Sequence, residues 1–299
     1  MELMNRDGIL NISLLHGQAR AILIESTHLV QQAKDTHNLS RTATAALGRV
    51  LTATVMMGSM LKNERESVSV QFKGGGPIGT VLAVAHGDAC VKGYVDNPDV
   101  DLPRMGKKLP VGAAVGRDGK MTVIKDLGLK EPYVGQTNLV SGEIAEDFAM
   151  YFTASEQTPS LVSLGVLVDD ARVRSAGGLI VQMLPGASEA AIASVEASAG
   201  MFEDISGTME EYHLDGAVQQ LLMHLEPEVL GRRTPKWQCD CSRERIEGML
   251  VTLGKDELQD MIETQHGAEV DCHFCLKRYK FNSDDLKTLL AAATMREGE

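Results

Sequence analysis

The first 185 residues show two hydrophobic periods, one typical of strands and one typical of helices. Alternating or Val/Ile-rich runs predict β-strands, and apolar residues spaced by three and four predict helices. The predicted strands cover residues 9–15, 18–25, 67–73, 80–85, 90–95, 121–125, 161–168 and 179–184, and the predicted helices cover 27–37, 40–61 and 142–156. The simplest packing of these elements is a largely antiparallel sheet with helices on one face, which is an α+β fold.

The predicted helix over residues 40–61 has an unusual composition. It begins near Ser40, which is a favourable N-cap residue, and it contains many small residues, including Gly48 and Gly58. A glycine inside a helix costs about 1 kcal/mol relative to alanine. We therefore expect this helix to approach a neighbouring element closely.

The pattern changes near residue 185. Residues 187–230 predict two or three short helices, interrupted at Gly200, Gly207 and Pro227. The basic run that follows, residues 231–237, is predicted to be a hinge into the last part of the chain. The sequence therefore predicts a helical linker over residues 186–235.

The linker is amphipathic and strongly acidic. Its apolar positions recur at spacings of three and four, and we call them the linker stripe: Val218, Leu221, Leu222 and Leu225. The formal net charge of the chain is −12, and residues 186–231 contain nine acidic residues and no basic one. Because like charges repel and disfavour a compact state, we expect these helices to be stable only while their apolar faces are docked.

The overall composition argues against several classes of protein. The chain has 299 residues, of which 43% are hydrophobic and 23% charged, as is typical of a folded protein with a core. An acidic balance argues against a dedicated nucleic-acid binder and against a protein that binds anionic membranes. The sequence opens without a signal-peptide pattern and contains no apolar stretch long enough to cross a bilayer. We expect a cytoplasmic protein with neither nucleic acid nor membrane as a partner.

Four of the five cysteines provide the strongest chemical signal. Cys239 and Cys241 form a C-x-C pair, and Cys272 and Cys275 form a C-x₂-C pair after thirty intervening residues. Four thiolates supply a complete tetrahedral sulfur shell, which structural Zn²⁺ prefers. A closed shell leaves no open position for catalysis. The sequence therefore predicts one structural Zn²⁺ as the cofactor.

The module that carries these cysteines, residues 236–299, is small. Two helices are predicted between the cysteine pairs, over residues 242–253 and 256–264. The free energy of zinc binding, about 10–16 kcal/mol for structural sites, is then effectively the folding free energy of the module. Oxidation of the thiolates would remove the metal. The spacing alone leaves open an inert zinc ribbon or a reversible redox switch, and four cysteines allow three disulfide connectivities.

Two other functions fit parts of this module. Lys277, Arg278 and Lys280 alternate with aromatic residues, as in zinc ribbons that bind nucleic acid. The C-x₂-C pair could serve a thiol–disulfide oxidoreductase, although it does not open a helix in a βαβ unit. The remaining cysteine, Cys90, lies among valines, where a packed thiol is expected. No Ser/His/Asp grouping or carboxylate pair predicts an enzyme.

Four motifs resemble one protein family. They are CDCSRERIEGML (239–250), VDCHFCLKRYKF (270–281), TAALGR (44–49) and GGGPIG (74–79). They are similar to the redox-regulated heat-shock chaperones of bacteria, the thirty-three-kilodalton chaperonin family, and the resemblance extends over essentially the whole chain. It implies an N-terminal α+β domain (1–185), a metastable helical linker (186–235) and a C-terminal zinc-binding redox-switch domain (236–299).

The resemblance also implies a mechanism. The reduced, zinc-bound protein would be inactive. Oxidation would form the disulfides Cys239–Cys241 and Cys272–Cys275, expel zinc and release the linker. The active form, a homodimer, would bind unfolding client proteins without ATP and later pass them to ATP-dependent foldase chaperones. The predicted client-binding surface is the linker stripe.

Overall fold

The chain divides into two compact units after Gln238. The structure is a computed structural model that describes residues 5–104, 106 and 108–296, with side chains described as far as residue 291. The strands of the first unit are β1 (Gly8–Leu14), β2 (Ala19–Glu25), β3 (Ser67–Lys73), β4 (Thr80–His86), β5 (Cys90–Val95), β6 (Lys120–Asp126), β7 (Tyr133–Asn138), β8 (Ser160–Val168), β9 (Val173–Met183), β10 (Glu228–Arg233) and β11 (Lys236–Trp237). Its helices are α1 (Thr27–His37), α2 (Arg41–Ser59), α3 (Val111–Val115), α4 (Ala145–Ala154), α5 (Glu189–Ala197) and α6 (Ile205–Leu222). The second unit contains α7 (Arg243–Thr252), α8 (Lys255–Glu263), β12 (Gly267–Asp271), β13 (Arg278–Asn282) and α9 (Ser283–Arg296).

The strands of the first unit form two sheets. One has the order β10-β1-β2-β9-β8 and is antiparallel throughout. The other has the order β11-β5-β4-β3-β6-β7 and is antiparallel except for the short parallel pair β11–β5. In the second unit β12 and β13 form a hairpin. The α+β class and the antiparallel pairing are confirmed. Two sheets replace the single predicted sheet because hydrophobic periodicity indicates strands without indicating their partners.

Helix α2 packs against both sheets, which explains its small residues. The Ser40 hydroxyl accepts a hydrogen bond from the N–H of Ala43 and caps the helix. A Cβ atom on Gly48 would lie 2.7 Å from Cγ1 of Val30, so only glycine permits this approach to α1. The expected close packing is therefore present. At 19 residues α2 is the longest described helix, and no helix in the described ranges is long and apolar enough to cross a membrane.

The linker helices cover the opposite face of the five-stranded sheet. Side chains alternate along β2, so Ile22 and Ile24 join the core around α2, whereas Leu23 joins a separate apolar cluster with residues of α6. The sheet is thus sandwiched, with α1 and α2 on one face and the linker on the other.

The linker differs from its prediction at two places. Gly207 does not interrupt a helix, because the Asp204 carboxylate accepts its N–H at 2.9 Å and caps the start of α6. Helix α6 bends instead at His213, whose φ of 54° lies in the left-handed region. The predicted hinge at residues 231–237 lies largely in β10 and β11, which pair with β1 and β5. Pairing with distant strands, which local composition does not encode, determines this conformation.

Candidate metal centre and docked linker

The clustered cysteines lie on two short loops of the second unit. Cys239 and Cys241 precede α7, and Cys272 and Cys275 lie between β12 and β13. The second loop is a tight turn, in which Leu276 has a φ of 58° and donates its N–H to the Cys272 carbonyl at 2.8 Å. The C-x₂-C pair therefore connects two strands and does not open a helix, as the sequence predicted. This placement differs from that of a thioredoxin-like redox motif.

The four sulfur atoms form one cluster. They lie within 4.8 Å of one another. Sγ of Cys239 lies 3.6 Å from Sγ of Cys272, and Sγ of Cys241 lies 3.4 Å from Sγ of Cys275. A tetrahedral metal with Zn–S bonds of about 2.3 Å separates its sulfur ligands by roughly 3.8 Å. The cluster is therefore compatible with a single metal ion, and its donor set is the one that soft, thiolate-binding metals prefer.

The shortest sulfur separations join cysteines of different pairs, whereas the predicted disulfides join cysteines within a pair. All five cysteines of this structure are free thiols. The disulfides Cys239–Cys241 and Cys272–Cys275 therefore refer to another oxidation state and stay a prediction.

Burial and hydrogen bonding give the clustered thiols different pKa values. The Tyr279 hydroxyl donates to Sγ of Cys241 at 3.2 Å. Burial tends to raise the pKa of Cys241, but hydrogen bonds from Tyr279 and the neighbouring thiols outweigh it and lower this pKa to about 7. Burial raises the pKa of Cys239 and that of Cys275. Of these three thiols, Cys241 is the first to become a thiolate as pH rises.

The second unit has a small core that includes part of the sulfur cluster. In its described part, the buried apolar side chains are Ile246, Leu250, Leu258, Cys272, Tyr279, Phe281 and Leu286. Cys272 belongs both to this core and to the sulfur cluster, and Tyr279 of the core donates a hydrogen bond to the cluster at Cys241. Loss of a metal would therefore disturb the packing of the whole unit.

The basic residues of the nucleic-acid alternative are engaged within the second unit. Arg278 donates to both carboxylate oxygens of Asp271, at 2.7 and 2.9 Å, and Nζ of Lys280 lies 2.7 Å from Glu269. Lys277 lies over an aromatic ring of β13. Phosphate binding requires basic groups that are not already neutralised by carboxylates. This surface therefore gives the nucleic-acid alternative little support.

Cys90 lies in β5 of the first unit. Its thiol donates to Oε1 of Gln238 at 3.3 Å, and burial raises its pKa to about 11. A thiol with such a pKa is protonated near neutral pH and is a weak nucleophile. The expectation of a packed thiol agrees with this environment.

All four residues of the linker stripe are buried against the five-stranded sheet. They share an apolar cluster with Leu10, Ile12 and Leu14 of β1 and with Leu23 of β2. Their apolar surface is therefore covered in this structure. The role of the stripe in client binding stays a prediction.

A buried carboxylate on β2 binds the linker at its bend. The Glu25 side chain is 5% exposed; its Oε2 accepts the N–H of Leu214 at 3.0 Å, and its Oε1 lies 3.1 Å from Nδ1 of His213. The bend at His213 starts a new helical turn, whose first N–H groups lack intrahelical partners, and Glu25 satisfies one of them. We call this contact the linker clasp. Sequence reasoning missed it because Glu25 is the last residue of a strand with no local signal.

Two ion pairs also join α6 to strands of the first unit. Glu210 pairs with Arg174 of β9 at 2.6 Å, and Asp215 pairs with Arg232 of β10 at 3.0 Å. These pairs are largely exposed, so each contributes at most about 1 kcal/mol. Docking of the linker therefore depends mainly on its buried apolar side chains, which include the linker stripe as well as Phe202, Ile205 and Met209, and on the linker clasp.

Comparisons with known proteins bear on the whole chain. A family model described as Hsp33 protein matches residues 7–282. A 33 kDa chaperonin from Alkaliphilus metalliredigens (strain QYMF) is 45% identical over 285 residues, covering 94% of this chain and 98% of that protein. A 33 kDa chaperonin from Clostridioides difficile (strain 630) is 44% identical over 287 residues, covering 95% and 99%.

A solved structure agrees with the fold described above. The crystal structure of a 33 kDa chaperonin (heat shock protein 33 homolog) from Thermotoga maritima has a TM-score of 0.86 and 35% sequence identity to this chain. The similarity covers 97% of this chain and 100% of that one. Because the family match runs from the start of the first sheet through the linker and all four clustered cysteines, the chain belongs to the Hsp33 family.

Proposed function

We propose that this protein is an ATP-independent holdase chaperone controlled by a zinc–thiolate redox switch, and that it is not an enzyme. Membership of the Hsp33 family supports a chaperone role. The observation that carries the redox control is the four-sulfur cluster in a unit with a small core, which follows directly after β11. No rival function is favoured by a specific contact.

In the resting state one Zn²⁺ is bound by Cys239, Cys241, Cys272 and Cys275. Bound Zn²⁺ would supply a large part of the folding free energy of the second unit, about 10–16 kcal/mol for structural sites. The linker is docked, so its apolar stripe and the sheet face beneath it are covered. A reducing compartment, the cytoplasm, maintains this state.

Oxidation converts the resting state into the active one. Each cysteine pair gives up two electrons and forms one disulfide, Cys239–Cys241 and Cys272–Cys275, while one peroxide molecule per pair is reduced to water. Disulfide sulfurs are poor metal ligands, so zinc leaves and the second unit loses its fold. The end of the linker is then held only by the short β11, which pairs with β5, and no longer leads into a folded second unit.

Linker release exposes apolar surface for clients. Repulsion among the nine acidic residues and the entropy of the freed chain favour undocking of the linker. Undocking uncovers the linker stripe and the sheet face formed by Leu10, Ile12 and Leu23. Unfolding proteins bind this surface. The active form is a homodimer. Clients later pass from it to ATP-dependent foldases.

An aggregation assay tests the proposal. The protein is added to guanidinium-unfolded citrate synthase either in its reduced, zinc-loaded state or after peroxide treatment with mild heat. We expect near-stoichiometric suppression of light scattering only by the oxidised protein, with one zinc released and free thiols falling from five to one. Cys90→Ser is the matched control and should suppress aggregation and release zinc like the wild type, with free thiols falling from four to none. Equal protection by both states would exclude the redox switch.

A further inference from the structure

Strand β10 occupies one edge of the five-stranded sheet. It pairs antiparallel with β1, from Ile9 opposite Arg233 to Ser13 opposite Glu228, with one bulge in the ladder. The other edge of β1 pairs with β2, and β10 is the last strand on its side of the sheet. Departure of β10 would therefore turn β1 into an edge strand with unpaired main-chain groups.

Side chains contribute little to the seating of β10. Val229 is 51% exposed and Leu230 is 65% exposed. Among the described residues, Arg232 of β10 pairs with Asp215 of α6, and Arg233 donates to the Gly87 carbonyl at 2.6 Å, so these side chains reach beyond β1. The fit of β10 on β1 is thus mainly a main-chain ladder, and such a ladder does not select a sequence.

The position of β10 in the chain links it to the switch. It lies between Leu225, the last residue of the linker stripe, and Cys239, the first clustered cysteine. Undocking of α6 would break its ion pair with β10. On the other side, unfolding of the second unit would leave the two-residue strand β11, which pairs with β5, as the attachment that β10 must also lose. β10 therefore lies between the two segments that the proposed function releases.

We propose that β10 is a covering strand, and that the β1 edge it vacates binds an extended segment of an unfolding protein by antiparallel strand addition. The inference rests on the proposed function and specifies how clients are recognised. Main-chain hydrogen bonds accept segments of any sequence, which suits a chaperone with many clients. Leu10, Ile12 and Leu14 of β1 lie on the face that the linker uncovers, so segments with alternating apolar residues are preferred.

The second sheet offers a comparison within the same molecule. Strand β7 is also an edge strand, and its Tyr133 and Val134 are already exposed in this structure. An edge that is open in the resting state cannot be gated by oxidation. The β7 amides are therefore an internal control for strand addition at β1.

Amide hydrogen exchange of the full chain, with a peptide probe, tests the inference. The probe is a fluorescein-labelled peptide with the sequence of residues 227–234. The control is the same peptide with N-methyl groups at four residues, placed so that both edges of the strand lose main-chain donors. We expect the β1 amides that face β10 to lose protection on oxidation and to regain it with the unmethylated peptide, whereas β7 amides do not change. N-methylation should weaken peptide binding at least tenfold, because it removes main-chain donors while keeping the side chains.

A proline variant tests the same edge in the reduced protein. Successive residues of a strand point their N–H groups to opposite edges, so Glu228→Pro/Val229→Pro removes a donor of β10 that faces β1. We expect this variant to bind the peptide at least tenfold more tightly than the wild type when both are zinc-loaded. The control Glu228→Ala/Val229→Ala removes the same side chains without disturbing the ladder and should bind like the wild type.

The outcomes separate this inference from the proposed function. If the oxidised protein suppresses aggregation while β1 amides stay unprotected with peptide and with client, the holdase function stands and strand addition is wrong. Protection that appears at β7 instead of β1 also overturns it. Protection of β1 in an oxidised dimer without any peptide would mean that a second copy fills the edge, which overturns client binding there. If the oxidised protein does not suppress aggregation, the proposed function itself fails.

Discussion

The two faces of the five-stranded sheet are covered by helices of different kinds. On one face lies α2, with nearly all of its residues buried between two sheets and small residues at its closest contacts. On the other face lie α5 and α6, which bury one stripe and present an acidic surface to solvent. A helix buried on all sides leaves only when the whole unit unfolds, whereas a helix buried on one side can leave alone.

The difference shows how one stable domain can contain a releasable part. The sheet keeps its fold through the α2 face, so the linker face can be uncovered without loss of the strands beneath it. The linker is held by buried apolar contacts that include the linker stripe, by the linker clasp and by weak exposed ion pairs. Four changes test whether the two faces are as independent as the packing indicates.

Removal of one metal ligand has the largest expected effect. Cys272→Ser takes away a buried sulfur and with it several of the about 10–16 kcal/mol that a structural zinc site contributes. We expect zinc content to fall well below one per chain and amides of α7, α8 and β12 to lose their protection from exchange. Protection should fall in α6 and remain unchanged in α2, and Cys90→Ser should change none of these. Full protection of α6 in Cys272→Ser would show that linker docking is independent of the metal site.

Truncation of one leucine on each face compares the two coverings directly. Leu222 of α6 and Leu51 of α2 are both fully buried, and Leu→Ala at such positions costs about 2–5 kcal/mol. We expect Leu51→Ala to lower the midpoint of global unfolding. Leu222→Ala should leave that midpoint nearly unchanged and increase amide exchange in α6 and along β1. If Leu222→Ala lowers global stability as much as Leu51→Ala does, the linker is part of the permanent fold.

The linker clasp should contribute less free energy to linker docking than the linker stripe does. Like the stripe, it should affect only the releasable face of the sheet. Glu25→Gln removes the charge that faces His213 and weakens acceptance of the Leu214 N–H. Loss of a charge-assisted hydrogen bond to a buried group costs about 1–3 kcal/mol. We expect faster amide exchange around the bend of α6 and easier activation by peroxide. Glu210→Gln, which breaks the exposed pair with Arg174, is the matched control and should cost at most about 1 kcal/mol.

The sequence predicts well those features that are encoded locally. The four clustered cysteines were found because ligand chemistry depends on residue type and short spacing. The linker stripe was found because its spacing of three and four is local to α6 and the 3-10 turn that follows it. The close approach around Gly48 followed from composition alone.

Features made by distant partners could not be predicted in this way. Glu25 and His213 are 188 residues apart, and neither has a local signal for the clasp. Strand β10 resembles a basic hinge in sequence because its side chains are exposed and only its main chain is paired. The second sheet was missed for the same reason, since periodicity does not say which strands are neighbours.

A second buried carboxylate, Asp7, offers the smallest test and concerns the permanent face. Its two oxygens accept the N–H groups of His28 and Leu29, at 3.0 and 2.8 Å, at the start of α1. Burial raises the pKa of Asp7 from 3.8 to about 6. Between about pH 4 and pH 6 the folded protein therefore binds a proton at Asp7 that the unfolded chain has lost, so this residue makes stability fall as pH rises.

Asp7→Asn removes that titration and should flatten the pH dependence. Between pH 4.5 and 6.5 we expect the contribution of Asp7 to the free energy of unfolding to fall by about 1–2 kcal/mol in the wild type and not at all in the variant. Chemical unfolding of the full zinc-loaded chain, compared between the two proteins at each pH, isolates this contribution because other titrating groups cancel. Identical pH slopes would mean that Asp7 does not carry a raised pKa. Asp7 binds α1, whereas Glu25 binds α6. If Asp7→Asn changes the pH slope of the free energy of unfolding but leaves amide exchange in α6 unchanged, the two carboxylates act independently, as the packing of the two faces indicates.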